Sequence, residues 1–76
     1  MKEVLEVIAK ALVDNPDDVN ISEVDNGDKT LTLELRVNQD DMGKVIGKQG
    51  RIAKAIRTVV KAAANRENKK VSVDIV

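Results

Sequence analysis

The chain has 76 residues with 13 basic and 13 acidic side chains, and it contains no cysteine, histidine, Phe, Tyr or Trp. This length predicts one small domain over residues 1–76 with a thin hydrophobic core. The lack of cysteine excludes disulfides and thiolate metal sites, and the lack of histidine removes the commonest general base. Without aromatic rings, the protein cannot recognise nucleic-acid bases by aromatic stacking.

The net charge of zero conceals an uneven distribution along the chain. Residues 1–41 carry four basic and eleven acidic side chains, whereas residues 42–76 carry nine basic and two acidic ones. Binding to nucleic acid follows the local field rather than the average charge, so the second half is the candidate for contact with an anionic partner. The apolar runs are too short to span a membrane, and we expect a cytoplasmic protein.

Apolar residues at helical spacing predict a first helix that ends near Pro16, because proline disfavours helix in the residue before it. Two strands follow at residues 19–24 and 30–37, joined by a hairpin turn at Asn26-Gly27. The predicted apolar stripe of the first helix consists of Val4, Leu5, Ile8, Ala11 and Leu12. The predicted core face of the second strand consists of Leu31, Leu33, Leu35 and Val37.

In the second half, Asn38 is predicted to cap a short helix over residues 39–46. Gly43 lies within this helix and indicates close packing or fraying. A longer helix over residues 51–64 and a strand over residues 71–75 complete the chain. The predicted core stripe of the longer helix is Ile52, Ile56, Val59 and Ala63, and its opposite, basic side is Arg51, Lys54, Arg57 and Lys61.

The order helix, strand, strand, helix, helix, strand predicts an α+β domain. A three-stranded mixed sheet is expected, since the two-helix crossover is long enough to return the third strand parallel to the second. The alternating strand pattern has one apolar face, so the helices should cover one side of the sheet only.

Two of the four glycines, Gly47 and Gly50, bracket Lys48 and Gln49 between the two helices, which predicts a tight turn. Glycine also lets a ligand backbone come close, and the helix that begins at Arg51 directs its free N–H groups to the same place, as a phosphate requires. Basic and aliphatic residues surround the turn. The predicted contact residues are Lys44, Ile46, Gly47, Lys48, Gln49, Gly50, Arg51, Ile52 and Lys54.

The segment Val45-Ile46-Gly47-Lys48-Gln49-Gly50 resembles the Ile-Gly-x-x-Gly signature of KH domains, whose GxxG loop clamps about four nucleotides of single-stranded RNA. Residues 42–57 resemble the small, single-domain bacterial KH proteins of the KhpA family. One position departs from the usual KH pattern, because Ala53 stands where a large aliphatic residue is common.

The resemblance implies the type II KH topology and an RNA chaperone or post-transcriptional regulator that binds single-stranded RNA. It further implies a homodimer and pairing with a larger, multidomain KH protein of the KhpB (Jag-like) type. The resemblance also implies a role for this pair of proteins in a pathway linked to cell shape and cell wall growth.

Two other functions fit the pattern of two helices around a glycine turn. One is a helix-turn-helix DNA reader, although the first turns of the longer helix offer no Asn or Gln to read base edges. The other is a dimerisation or scaffold module that binds no nucleic acid. Self-association is also expected from the residues themselves, because Val7, Val13 and Val60 lie off the stripes that their helices should bury.

Residues 14–18 hold three carboxylates around Pro16. Capping and turn formation explain acidic residues at such a place, and a magnesium site would need a substrate phosphate nearby, whereas the basic loop lies in the other half of the chain. We therefore expect no catalytic residue, no metal and no cofactor, and the chain is not predicted to be an enzyme.

Overall fold

The computed structural model describes residues 1–76. Three α-helices and three strands alternate in the predicted order, with short 3₁₀ turns at Pro16–Asp18, Gln39–Asp41 and Lys48–Gly50. The elements are α1 (Lys2–Leu12), β1 (Asn20–Gly27), β2 (Thr30–Arg36), α2 (Met42–Ile46), α3 (Arg51–Arg66) and β3 (Lys70–Ile75). None of the helices is both long and apolar enough to cross a membrane.

The strands form one sheet in the order β1-β2-β3, so β2 is central and the other two strands are edges. β1 and β2 form an antiparallel hairpin, and β3 runs parallel to β2 after the two-helix crossover. The buried face of the sheet packs against the helices, whereas Thr30, Thr32 and Glu34 on the other face remain partly exposed. The α+β fold with a three-stranded mixed sheet is therefore confirmed.

The core brings all six elements together. Leu5 and Ala9 of α1, Val45 of α2 and Val60 of α3 are fully buried with the central strand. The central strand contributes its three leucines, as the alternating pattern predicts, and its fourth predicted residue, Val37, packs at the margin of the core.

The hairpin turn lies two residues beyond the predicted Asn26-Gly27 pair. β1 continues to Gly27, which pairs with Thr30, and a bulge interrupts the register between Asp25 and Gly27. The turn residues are Asp28 and Lys29, both with positive φ, as a two-residue turn of this hand requires. The Gly27 N–H donates to the side chain of Asp25 at 2.9 Å. This local hydrogen bond stabilises the bulge, and the turn therefore follows Gly27 instead of including it.

The predicted core stripe of α3 is wrong by one position at three of its four residues. The buried residues are Ala53, Ile56, Val60 and Ala64. Val59 is 50% exposed and Val60 is 0% exposed. Apolar residues occupy so much of this helix that both stripes satisfy helical periodicity, and the packing of α3 against the sheet decides which one is buried.

The expectation that Val7, Val13 and Val60 lie outside the core holds for Val7 alone. Val7 is 69% exposed, whereas Val13 and Val60 belong to the buried cluster. The rotation of α3 accounts for Val60. Val13 follows the last turn of α1 and donates its N–H to the carbonyl of Ala9, so its side chain turns back into the core.

A buried carboxylate connects the end of α1 to the start of α2. Asp41 is 1% exposed, and its two oxygens accept the N–H of Asp14 at 3.3 Å and the backbone and side-chain N–H groups of Asn15 at 3.0 and 3.1 Å. Lys44 lies 3.6 Å from Asp41 and also pairs with Asp14. As predicted, Asn38 caps this turn by accepting the N–H of Asp40 at 2.9 Å.

The ionised form of Asp41 is favoured in the folded protein. Burial by itself raises the pKa of this carboxyl, but the hydrogen bonds from Asn15 and Asp14, together with the Lys44 charge, outweigh it and hold the pKa of Asp41 below its usual value. Its contribution to stability is therefore complete above the pKa of an unfolded Asp, about 3.9, and is lost as the pH falls through the lower folded-state pKa.

We expect Asp41→Asn to lower the melting temperature near neutral pH by at least roughly 5 °C, since an amide leaves buried N–H donors without an acceptor. The difference from the unaltered protein should narrow at about pH 3, which lies below the pKa of an unfolded Asp, because protonation of the unfolded carboxyl then reduces the stability that the ionised group contributes. Circular dichroism melts at both pH values measure this. Asp40→Asn is the matched control, because Asp40 is exposed. An equal effect of the two variants, or a pH-independent difference, would contradict the assignment.

Candidate nucleic-acid interface

The loop between α2 and α3 is a closed turn. The N–H of Gly47 donates to the carbonyl of Gly43 at 2.8 Å, which ends α2, and the N–H of Gly50 donates to the carbonyl of Gly47 at 3.2 Å. Three of its four residues, Gly47, Gln49 and Gly50, have positive φ. The predicted tight turn at residues 47–50 is therefore present.

The two glycines of the turn meet different requirements. Gly47 has φ 75° and ψ 175°, a conformation that is essentially restricted to glycine. A Cβ there would also lie 2.6 Å from Cγ1 of Ile52, so the side chain of Ile52 fills the space that glycine leaves open. Gly50 has the left-handed conformation at φ 73°, but no atom lies near the place of its missing side chain. Gly43 is exposed, and no atom lies within 4 Å of the place where a Cβ would stand. Of the two interpretations of this glycine, close packing is therefore absent.

Three basic side chains beside the turn are free of acidic partners. Lys48, Arg51 and Lys54 are exposed, and none of them takes part in an ion pair within the chain. The first turn of α3 has no side-chain cap, because the residue at that position is Gly50. The positive end of this helix and the three cations therefore lie together at one exposed place.

Lys44 differs from the other predicted contact residues. Its hydrogen bond with Asp14, followed by the charges of Asp14 and Asp41, raises the pKa of Lys44 and outweighs its partial burial. The ammonium group is thus engaged with two carboxylates on the side of α2 that faces α1. The structure brings Lys48, Arg51 and Lys54 together at the turn and gives Lys44 a structural partner instead.

The two predicted aliphatic contacts lie in different surroundings. Both Ile46 and Ile52 are half-buried against the core. Ile52 also lines an open groove of about 410 Å³, called here the α1–α3 groove, whose other residues are Ile8, Leu12, Arg51, Ala55, Ile56 and Val59. Ile46 does not line this groove.

Arg57 makes a contact that the sequence pattern did not indicate. Its Nε donates to the carbonyl of Val73 at 3.0 Å and ties α3 to the edge strand β3. The pattern placed Arg57 on a basic, exposed side of the helix. A bond to a backbone carbonyl leaves no signal in the sequence, because the distance is set by how α3 lies on the sheet.

The comparisons with known proteins agree along the whole chain. Residues 2–75 match the family model for the KH domain of KhpA/KhpB. A protein of Clostridium perfringens (strain 13 / Type A) is 67% identical over 76 residues, all of both chains, and one of Clostridium acetobutylicum is 66% identical with the same coverage. A protein of Aquifex aeolicus is 48% identical over 99% of this chain and 94% of its own. Each of the three is named RNA-binding protein KhpA.

One solved structure shares the fold. It is the crystal structure of Era in complex with MgGDPNP and nucleotides 1506–1542 of 16S ribosomal RNA, which superposes with a TM-score of 0.59 at 20% identity. The likeness covers 96% of this chain and 28% of that chain. At this identity the comparison supports the fold alone.

We expect the two glycines of the turn to respond differently to substitution. Gly47→Ala should cost roughly 3 kcal/mol or more, since strain and a clash with Ile52 add, whereas Gly50→Ala should cost about 1–2 kcal/mol of strain alone. Urea denaturation measures both. Gly43→Ala, in the exposed part of α2, is the control and should be neutral or stabilise by up to about 1 kcal/mol. Equal losses of unfolding free energy at positions 47 and 50 would mean that the side chain of Ile52 moves aside at little cost.

Proposed function

The chain belongs to the KhpA/KhpB family of KH-domain proteins, and on that premise we propose that it binds single-stranded RNA at the turn of residues 47–50. One observation carries the proposal. A closed glycine turn, an uncapped helix N-terminus and the three unpaired cations Lys48, Arg51 and Lys54 meet at one exposed place. That combination suits a phosphate backbone.

The contacts proposed for RNA follow from the geometry of the turn. Gly47 and Gly50 let the sugar-phosphate backbone approach, N–H groups in the first turn of α3 donate to a phosphate, and Lys48 and Arg51 neutralise its charge. Gln49 extends from the exposed tip, and Lys54 follows one helical turn later. Bases rest against the aliphatic side chains Ile46 and Ile52, since the chain has no aromatic ring.

The further roles proposed here rest on the family and not on contacts within this chain. They are action in the cytoplasm as an RNA chaperone or post-transcriptional regulator, and pairing with a larger, multidomain KH protein of the KhpB (Jag-like) type. A link to cell shape and cell wall growth is part of the same proposal.

A homodimer is also proposed, with the part of the α1–α3 groove at Ala55 and Val59 as the contact surface, so that Ile52 at its other end stays open to RNA. The groove is almost wholly apolar, and the half-exposed Val59 stands at its rim on α3. A second copy seated on this side of the molecule would bury these side chains and compensate for the thin core of so small a domain.

We expect the double change Lys48→Asp with Gln49→Asp to abolish most RNA binding and to leave the fold intact. Both side chains are exposed, and acidic groups before α3 favour its dipole by roughly 0.3–1 kcal/mol each. Aspartate also tolerates the positive φ of position 49. Two anions beside a phosphate should weaken binding by at least about 2–3 kcal/mol, or thirty- to more than a hundred-fold.

Polarisation titration of a short labelled RNA, paired with a thermal melt, measures this. The matched control, Lys2→Asp with Ser22→Asp, changes the net charge equally at two exposed positions on α1 and β1. Unchanged RNA binding by the loop variant would overturn the proposal. Duplex DNA in the same assay tests the helix-turn-helix alternative, and binding to neither nucleic acid would indicate a scaffold module.

We expect the unaltered protein to sediment as a dimer at micromolar concentration and Val59→Asp to sediment as a folded monomer, with helical circular dichroism retained and a lower melting temperature. An aspartate at the rim of the groove would have to be desolvated in the dimer. Val24→Asp is the control, because Val24 is also about half exposed, at 46%, but lies on β1. A monomeric unaltered protein, or dimers unaffected by Val59→Asp, would exclude this surface.

A further inference from the structure

A second basic site lies at the opposite end of α3 from the glycine turn. There, the last turns of α3, the start of β3 and the β1–β2 hairpin enclose an open cleft of about 420 Å³, called here the basic cleft. Its only charged lining residues are Lys61, Lys69 and Lys70. The polar residues beside them include Asn65 and Ser72.

Most side-chain donors of the basic cleft are not used within the protein; the exceptions are Asn26, which donates to Thr32, and Thr30, which donates to the carbonyl of Gly27. None of its three lysines forms an ion pair or a side-chain hydrogen bond, and the side chains of Asn65 and Ser72 form no hydrogen bond either. No carboxylate lines the cleft. An anion that entered it would therefore meet several donors and no repulsive charge.

The backbone holds two of these lysines in place. The N–H of Lys69 donates to the carbonyl of Ala64 at 3.0 Å, and the N–H of Lys70 donates to the carbonyl of Lys29 at 2.9 Å. The same loop satisfies the carbonyls at the end of α3, because Ala64 also accepts the N–H of Glu67, and Asn65 that of Asn68. The negative end of the helix is thereby occupied by N–H groups of the chain, which reduces its repulsion of an anion.

We propose that the basic cleft binds phosphates of the same RNA strand beyond the nucleotides held at the glycine turn. The inference rests on the proposed function and extends it. Lys61 lies ten residues after Arg51 on the same helix, which corresponds to about 15 Å. Lys54 lies between them, so exposed cations continue from the turn toward the cleft. Donors spread along an open cleft suit successive phosphates of a strand better than one free phosphate ion.

The test compares RNA oligomers of about four and about ten nucleotides in polarisation titrations over a range of salt concentrations. The variant is Lys69→Gln with Lys70→Gln, and the matched control is Lys2→Gln with Lys10→Gln, two lysines of α1. We expect the cleft variant to bind the longer RNA about tenfold more weakly and the short RNA unchanged. The control should bind both RNAs as the unaltered protein does.

The salt dependence provides a second readout. Each phosphate contact to a single strand adds about −0.7 to the slope of log K against log salt, so two lysines should add about −1.4 for the longer RNA only. The cleft variant should lose this part of the slope and keep only the contribution of Lys61. The slope therefore distinguishes contacts in the cleft from the higher apparent affinity that any longer RNA has because it offers more binding registers.

Three outcomes would overturn the inference. They are an unchanged affinity of the cleft variant for the longer RNA, an equal loss for both lengths, and an equal loss in the α1 control. If inorganic phosphate at millimolar concentration removes the excess slope, the cleft holds a free anion instead. Lys61→Gln on α3 replaces the double variant if that variant melts early.

Failure of the cleft and failure of the glycine turn give different results. If the turn binds and the cleft does not, Lys48→Asp with Gln49→Asp weakens both RNAs, and the cleft variant weakens neither. If the cleft binds and the turn does not, the cleft variant weakens the binding of both RNAs, and Lys48→Asp with Gln49→Asp weakens neither.

Discussion

The carboxylate of Asp41 accepts three N–H groups from the segment after α1 while it lies beside the ammonium of Lys44. Helix α2, which begins at the next residue, has only five residues and cannot be stable by itself. Its position depends on this buried carboxylate and on Val45, which is fully buried in the core. Since α2 delivers the chain to Gly47, the orientation of the glycine turn follows from the same contacts.

The charged residues divide into a structural set and an available set. Asp14, Asp18 and Asp41 accept hydrogen bonds from other segments, and Lys44 pairs with two of them. The cations beside the turn have no such partners. An arrangement that stabilises the domain with the acidic half of the chain therefore leaves much of the basic half free for a ligand.

The structure could be predicted from the sequence wherever a single local signal determines it. Strand alternation in β2, the cap at Asn38 and the glycine turn are of this kind. The buried side of α3 was predicted wrongly, because apolar residues cover more than half of the circumference of that helix and tertiary packing decides which of them face the core. The hairpin turn lies two residues beyond its predicted position, where the side chain of Asp25 accepts the backbone N–H of Gly27 at the bulge. The pairing of Lys44 and the bond of Arg57 to Val73 depend on distances between elements, which no residue pattern reveals.

The order of the strands separates the two kinds of charge in space. The acidic half of the chain forms α1, β1 and β2, whereas the basic half forms α2, α3 and β3, and β1 and β3 are opposite edges of the sheet. The protein is thus a neutral molecule with an electric dipole across its sheet. A polyanion such as RNA does not attract the neutral protein from a distance. Within a Debye length, about 8 Å at physiological salt, the electric field of the RNA would rotate the protein so that its β3 edge faces the RNA. Orientation, rather than attraction from a distance, is what this charge distribution contributes to an encounter.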